Sequence, residues 1–245
     1  MQDILVVKNA TKQFGGLTAV KDVSFIVQEG MRLAIIGPNG AGKTTMFNMI
    51  TGEYKPTSGK IEFFGEEIQG LKPHSVAKKG IGRTFQLVKI FDELTVLDNV
   101  LMGILAQKLR FKPTEEQIYE ADNIIKTTNL QKYRDVLGKH LTVSAKKRVG
   151  LATALALKPK ILLLDEVMAG LTHVEIEEAL QLLRKINSEM GITLVIVEHV
   201  MKVVMALCEK IVVISFGEKI AEGSPQEITQ NRKVIDVYLG ESKHA

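Results

Sequence analysis

The stretch GPNGAGKTT, Gly37 to Thr45, sits between an apolar run, RLAII, and the segment MFNMITG. It matches the spacing Gly-x-x-x-x-Gly-Lys-Ser/Thr in the strand–loop–helix setting that the pattern requires. Chemistry explains the spacing. Glycines let successive backbone N–H groups curl around a phosphate, and the start of the following helix adds its dipole. Gly37, Pro38, Asn39, Gly40, Ala41, Gly42, Lys43, Thr44 and Thr45 form the candidate phosphate cradle. Lys43 is then placed at the β- and γ-phosphates and the Thr44 hydroxyl at Mg²⁺. With glycine at about 7% of residues, the pattern arises by chance about once in a hundred chains of this length, so a fortuitous glycine turn is the weaker account.

A nucleoside triphosphatase also needs acids. ILLLDE ends an apolar, strand-sized run with Asp165, which can hold Mg²⁺ through water, and Glu166, which can polarise the attacking water. Adjacent acids after a strand are often a solvated strand end, and the phosphate loop lifts this pair above that reading. VIVEH ends another run with Glu198 and His199, and this strand end brings His199 near the same sheet edge. RTFQ places Gln86 where the core meets a helical region, although a glutamine in isolation is most often a surface residue. LTVSAKKR, Leu141 to Arg148, precedes the apolar run LATALAL. Its basic residues at a helix start suit a nucleic-acid patch, a solvated face, or an altered motif that touched phosphate.

At 245 residues the chain buries a sizeable core, as one large domain or as a domain with a subdomain. Its 32 Lys and Arg against 28 Asp and Glu leave a net charge of +4, too mild to argue for nucleic acid alone. A single cysteine, Cys208, excludes an internal disulfide framework and suits a reducing compartment, with a buried structural thiol as the plain account. The start, MQDILVVKNATKQF, does not resemble a secretory signal, and no apolar run approaches the ~18 residues of a membrane span. Work at a membrane would require recruitment by a spanning partner.

The elements that must position these residues are legible as periodicity. ILVV, VSFIV, RLAII, KIEFF, ILLL, TLVIV and KIVVIS read as strands, several apolar at consecutive positions as in strands buried on both faces. Between ILLL and TLVIV, the stripe Ile176, Leu180, Leu183, Ile186 and Met190 marks a helix. That strand–helix–strand crossover implies a parallel α/β sheet. Turns at Gly30 and Gly65 look like hairpins and suggest an antiparallel β layer beside it. LTVLDNVLMGILAQKL and TEEQIYEADNIIKTTNL read as helices punctuated by Pro113 and Thr114. The expected fold is therefore α/β: a P-loop NTPase core with a mainly parallel sheet, an antiparallel β layer and an inserted helical subdomain. One domain spans 1–245, with 1–86 and 158–245 as the core and 87–157 as the helical subdomain.

Taken in order, GPNGAGKTT, RTFQ, ILLLDE and VIVEH make the whole chain resemble the nucleotide-binding subunit of an ATP-binding-cassette transporter. The resemblance implies ATP and Mg²⁺ as ligands, Gln86 as a mobile residue sensing Mg²⁺ and water, and His199 as a switch at the γ-phosphate. It also matches Phe14, in TKQFGGLTAV, to an aromatic that stacks on adenine, with a core phenylalanine as the competing reading. GIGRTFQLVKIFDELTVLDNVLMG, DEVMAGL and the stretch from VEHVMKVV to GSPQEI are similar to one ATPase of the branched-chain amino-acid uptake family. That family pairs two different ATPases with two integral-membrane permeases and, indirectly, an extracytoplasmic substrate-binding protein, so the implied second ATPase subunit is a different chain or a copy. The resemblance implies a peripheral subunit at the cytoplasmic face of the plasma (inner) membrane, with no nucleic-acid partner.

The same resemblance selects among the readings of LTVSAKKR. Leu141, Thr142, Val143, Ser144 and Ala145 stand where the family carries a signature close to Leu-Ser-Gly-Gly-Gln, which contacts the γ-phosphate held by the opposite subunit. Thr142 and Ser144 are the candidate contacts that remain. Losing glycine restricts the backbone and adds bulk where phosphate approaches. Thr172 likewise stands where Asp or Asn is usual in the loop after Glu166. An ATP-driven transport motor leads over two alternatives: a regulatory cassette with little hydrolysis, and a non-transport ATPase of the same superfamily. GTPases are disfavoured because no Asn-Lys-x-Asp motif is present.

Overall fold

A computed structural model describes residues 2–84, 90–106 and 112–241. All seven apolar runs form strands. In the order of the chain these include β1 (Asp3–Phe14), β2 (Leu17–Gln28), β3 (Arg32–Ile36), β4 (Ser58–Phe63), β7 (Ile161–Asp165), β8 (Thr193–Val197) and β9 (Lys210–Ser215). The short β5 (Glu66–Glu67), β6 (Ile81–Arg83) and β10 (Glu218–Gly223) complete the described strands. Every residue of β7 and β8 is buried, which is why their sequences run apolar without alternation.

Two sheets result. One has the order β10-β9-β3-β8-β7-β6 and the other β2-β1-β4-β5. In the first, β9, β3, β8, β7 and β6 run parallel and only the edge strand β10 is antiparallel. The second is antiparallel throughout. Gly65 closes the β4–β5 hairpin, as its sequence suggests. Gly30 does not close one. β2 and β3 lie in different sheets, so the left-handed Gly30 (φ 78°) carries the chain from one layer to the other.

Nine α-helices surround the sheets among the described residues: α1 (Lys43–Ile50), α2 (Pro73–Lys79), α3 (Val96–Ala106), α4 (Glu115–Thr127), α5 (Val143–Ala156), α6 (His173–Met190), α7 (Met201–Leu207), α8 (Pro225–Gln230) and α9 (Arg232–Glu241). Thr114 caps α4 with a reciprocal Thr114–Gln117 box, which accounts for the break at Pro113–Thr114. The stripe on α6 is buried at Leu180, Leu183 and Ile186, but Met190 is 47% exposed. It occupies the last turn before the left-handed cap Gly191, where the helix has run past the sheet.

Three apolar cores organise the molecule. One fills the space between the two sheets, and a second lies on the opposite face of the parallel sheet under α5, α6 and α7. The third is made by α3, α4 and α5. Helix α5 belongs to two of them: Leu151, Ala154 and Leu155 pack toward the parallel sheet, whereas Ala145, Val149, Ala152 and Ala156 pack into the helical cluster. The 86/87 boundary falls outside the described residues. No helix among the described residues is long and apolar enough to cross a membrane.

Candidate nucleotide site

The parallel sheet delivers the motifs side by side. β3 feeds the glycine loop, β8 ends before Glu198 and His199, and β7 ends in Asp165. These strands are adjacent in the order β3, β8, β7, and Asp165 pairs across to Val197. Their carboxyl ends therefore share one edge, the usual place for a ligand in an open parallel sheet.

The loop is held by close backbone approaches. A Cβ at Gly37 (φ 154°) would lie 1.9 Å from the Ile214 carbonyl oxygen, and one at Gly42 (φ 102°) 2.4 Å from that of Ala19. Neither position admits a side chain. Gly42 is the cap of α1 and has no side chain with which to bond the first turn. The helical ladder begins with the Met46 N–H donating to the Gly42 carbonyl, so the N–H groups of the preceding turn point to the loop side. Lys43 is buried, and its ammonium donates to the carbonyls of Gly37 and Pro38, each at 2.7 Å. The resulting cleft has a volume of about 290 Å³ and is lined by Ala19, by Asn39 through Thr45, and by Glu166 from the neighbouring strand end.

The acids differ in environment. Asp165 is buried, and its Oδ2 accepts from the Arg83 guanidinium at 2.8 Å, with both side chains under one-tenth exposed. Its Oδ1 is buried without a hydrogen-bond partner among the described residues. Arg83 also donates to Asn48 Oδ1 at 2.6 Å and lies over the Phe47 ring, so β6, α1 and Asp165 meet at one guanidinium. Glu166 adopts a left-handed backbone (φ 49°) that turns its side chain toward the cleft. Its Oε1 lies 3.6 Å from His199 Nδ1, longer than a hydrogen bond, with the imidazole half-exposed. Glu198 is fully buried, its Oε1 accepts from the Met168 N–H at 2.9 Å, and burial pushes its carboxyl above the ordinary glutamate range.

The remaining candidates lie apart from the cleft lining. Phe14 is 41% exposed, which removes the core reading. It meets Tyr54 edge-on at 5.1 Å, beneath the Lys12 ammonium. Thr142 caps α5, accepting from the Ala145 N–H at 3.2 Å. Val143 follows at the helix start and is 64% exposed. Ser144 and Thr142 border a second cleft with Arg148 and Glu175. Thr172 caps α6 in a box with Glu175. The Glu175 carboxyl is held below its usual range by the Thr172 N–H, then by the Thr172 and Ser144 hydroxyls. Gln86 lies outside the described residues.

The donor set fits the expected ligands. A hydroxyl on exposed Thr44 and a buried carboxylate oxygen on Asp165 are hard oxygen donors suited to Mg²⁺. The glycine cradle with a buried ammonium suits a polyphosphate. Sequence reasoning missed Arg83 and the anchoring bond of Glu198. For Arg83, its place three residues before Gln86, directly after the short run GIG, was the available signal.

Residues 20–169 match the ABC transporter family, and residues 218–244 match the branched-chain amino acid ATP-binding cassette transporter family. The high-affinity branched-chain amino acid transport ATP-binding protein BraF of Pseudomonas aeruginosa is 40% identical, over 98% of both chains. LivG of Salmonella typhimurium, which has the same description, is 35% identical over 98% of this chain and 99% of its own. The lipopolysaccharide export ATP-binding protein LptB of Escherichia coli is 36% identical over 97% of each. Among solved structures, the ADP conformation of the cassette MJ1267 superposes with a TM-score of 0.89 at 31% identity, covering 98% of this chain and 100% of that one. A dimeric post-hydrolysis cassette, MJ0796 with ADP and Pi, gives 0.82 at 30% identity over 91% of this chain and 99% of its own. With the nucleotide cleft on one sheet edge and matches along the full length, this chain belongs to the ABC transporter family as an ATPase subunit.

Proposed function

We propose that this chain is the ATP-hydrolysing motor of an importer for branched-chain or similar amino acids, bound at the cytoplasmic face of the membrane to permease subunits and a second ATPase. The observation that carries the reading is the convergence of the glycine loop and Glu166 on one cleft, with His199 3.6 Å from Glu166. The match of residues 218–244 supports the cargo class. In this reading Lys43 and the loop N–H groups hold the β- and γ-phosphates, and Phe14 takes the adenine. Thr44, Asp165 and Gln86 hold Mg²⁺, which when bound neutralises developing phosphate charge. Glu166 orients and polarises the attacking water, and His199 senses the γ-phosphate from the next strand end. Residues 1–86 and 158–245 act as the nucleotide core and 87–157 as the helical subdomain.

The helical part supplies a docking surface. Asn99 is buried, accepts from the Phe91 N–H at 2.8 Å and donates to the Phe91 carbonyl at 3.0 Å, holding that backbone while the ring stays 56% exposed. Phe91, with half-buried Leu94 beside it, is assigned to a cytoplasmic permease helix. A second reading, a regulatory cassette with little hydrolysis, is favoured by Val143 and Ser144 in the place of the signature glycines.

The test is purification of the chain with its membrane partners, followed by ATP-driven uptake of leucine into proteoliposomes. Uptake that is lost with Asp at both Phe91 and Leu94, while ATP binding persists, is expected. Unimpaired uptake with both substitutions would exclude the docking surface. ATP-independent accumulation, or partners that handle only lipid, would exclude the function.

A further inference from the structure

We infer that Lys147 is a positioning residue that locks the backbone of Glu166 and the loop following it to helix α5. This rests on the proposed role of Glu166. Glu166 is a non-glycine residue in the left-handed region, and Gly170 (φ 74°) ends the same turn. Such a backbone persists only where its surroundings hold it. The Lys147 ammonium donates to the carbonyls of Glu166 at 3.4 Å, Val167 at 3.2 Å and Ala169 at 2.5 Å. An ammonium has three N–H donors, and three carbonyls of one loop take them all.

The loop is tied a second time. The Met168 N–H, lying between those carbonyls in sequence, donates to buried Glu198. The loop is thus held by a cation from α5 and by a carboxyl from the end of β8. Within the loop itself, the Ala169 N–H donates to the Glu166 carbonyl and the Leu171 N–H to the Met168 carbonyl, both at 3.2 Å. Lys147 sits one turn into the helix that starts at the altered signature, and that helix packs on both the sheet core and the helical core. Movement of α5 is therefore transmitted to Glu166 through a side chain that touches no nucleotide. The basic run LTVSAKKR keeps a mechanical role even where its phosphate-contacting residues are changed.

The experiment uses the full-length chain in its membrane complex, with Lys147→Cys, Lys147→Gln and Glu166→Gln prepared alongside. Alkylation of Lys147→Cys with 2-bromoethylamine displaces bromide by the thiolate and builds a side chain that ends in an ammonium at nearly the lysine length. Native Cys208 is buried and its thiol is pushed up to about 12, so the reagent acts selectively, with the wild-type chain treated in parallel. Lys147→Cys is expected to lower ATP turnover at least tenfold, leave nucleotide affinity within twofold, and raise hydrogen–deuterium exchange at Met168 and Ala169. Alkylation should restore both turnover and protection. Lys147→Gln, with two amide donors, should fall between, and it carries the test if the cysteine variant does not fold. Undiminished turnover in Lys147→Cys or Lys147→Gln, or loss explained by nucleotide affinity, would overturn the inference. So would a failure of alkylation to restore turnover. Full turnover in Glu166→Gln would instead overturn the role of Glu166 itself.

Discussion

Two helix starts in this molecule contrast sharply. At α1 a left-handed glycine cap, two close backbone approaches and a buried lysine build a cleft that admits nothing bulky along its wall. At α5 the cap is Thr142, the next residue is an exposed valine, and neither position after the cap is glycine. Both starts offer backbone N–H groups, but the first opens on a cleft lined by glycines and a buried ammonium, whereas the second opens on one bordered by the Thr142, Ser144, Arg148 and Glu175 side chains. A helix N-terminus alone does not make a phosphate site; the absence of side chains around it does. In the proposed function, the chain holds and cleaves its own nucleotide and completes a neighbour's site poorly.

The comparison can be broken first at the cleavage side. Arg83→Met removes one partner of a buried pair and leaves Asp165 as an uncompensated buried carboxylate. A loss of about 3–5 kcal/mol in unfolding free energy is expected by denaturant titration. A loss below 1 kcal/mol would contradict an uncompensated buried carboxylate at Asp165. Lys43→Ala should come next, weakening ATP binding by about 1.5–3 kcal/mol in a fluorescence titration, since it removes a charge-assisted contact. Unchanged affinity would place the nucleotide elsewhere.

Glu198 sharpens the comparison through pH. Its folded carboxyl is raised by burial, chiefly, against the opposing Met168 N–H and His199. The folded chain therefore keeps a proton that the unfolded chain has released. The stability this provides is full below the ordinary glutamate range and is lost as pH rises through the raised folded value. Glu198→Gln keeps an acceptor for Met168 without the charge. Its melting temperature should gain on the wild type as pH rises through that window, and a constant difference would refute the buried carboxyl. At the signature side the expected effect is smallest. Thr142→Ala removes the cap of α5 and should cost about 1 kcal/mol of stability. In a complex with a different ATPase that carries an intact signature, it should lower turnover far less than Glu166→Gln.

How much of this was legible in the sequence follows from the range of each interaction. The buried strands and the stripe on α6 are written in local periodicity, because their neighbours are the sheet itself. Gly30 misled because a turn residue specifies the bend and not the sheet that receives the next strand. Met190 continues a helical period past the point where there is anything to cover it. The glycine loop, Asp165, Glu166 and His199 were legible because their chemistry fixes both residue type and spacing. Arg83, Glu198 and Lys147 were not, since each acts across elements 30 to 82 residues apart or on backbone atoms that carry no sequence signal. Thr142, a candidate phosphate contact, accepts from the Ala145 N–H as the cap of α5 and keeps its own O–H to donate.

The asymmetry between the two helix starts is tested most directly by rebuilding the weaker one. Steady-state ATP turnover should be measured on the isolated full-length chain and on a triple variant, Val143→Gly, Ser144→Gly and Ala145→Gln. Alone, the chain must use LTVSA at every site, so slow turnover is expected, and restoring the signature should raise it by about 10²-fold, the scale of one transition-state donor. Brisk hydrolysis by the unaltered chain, or no gain in the rebuilt one, would contradict the account.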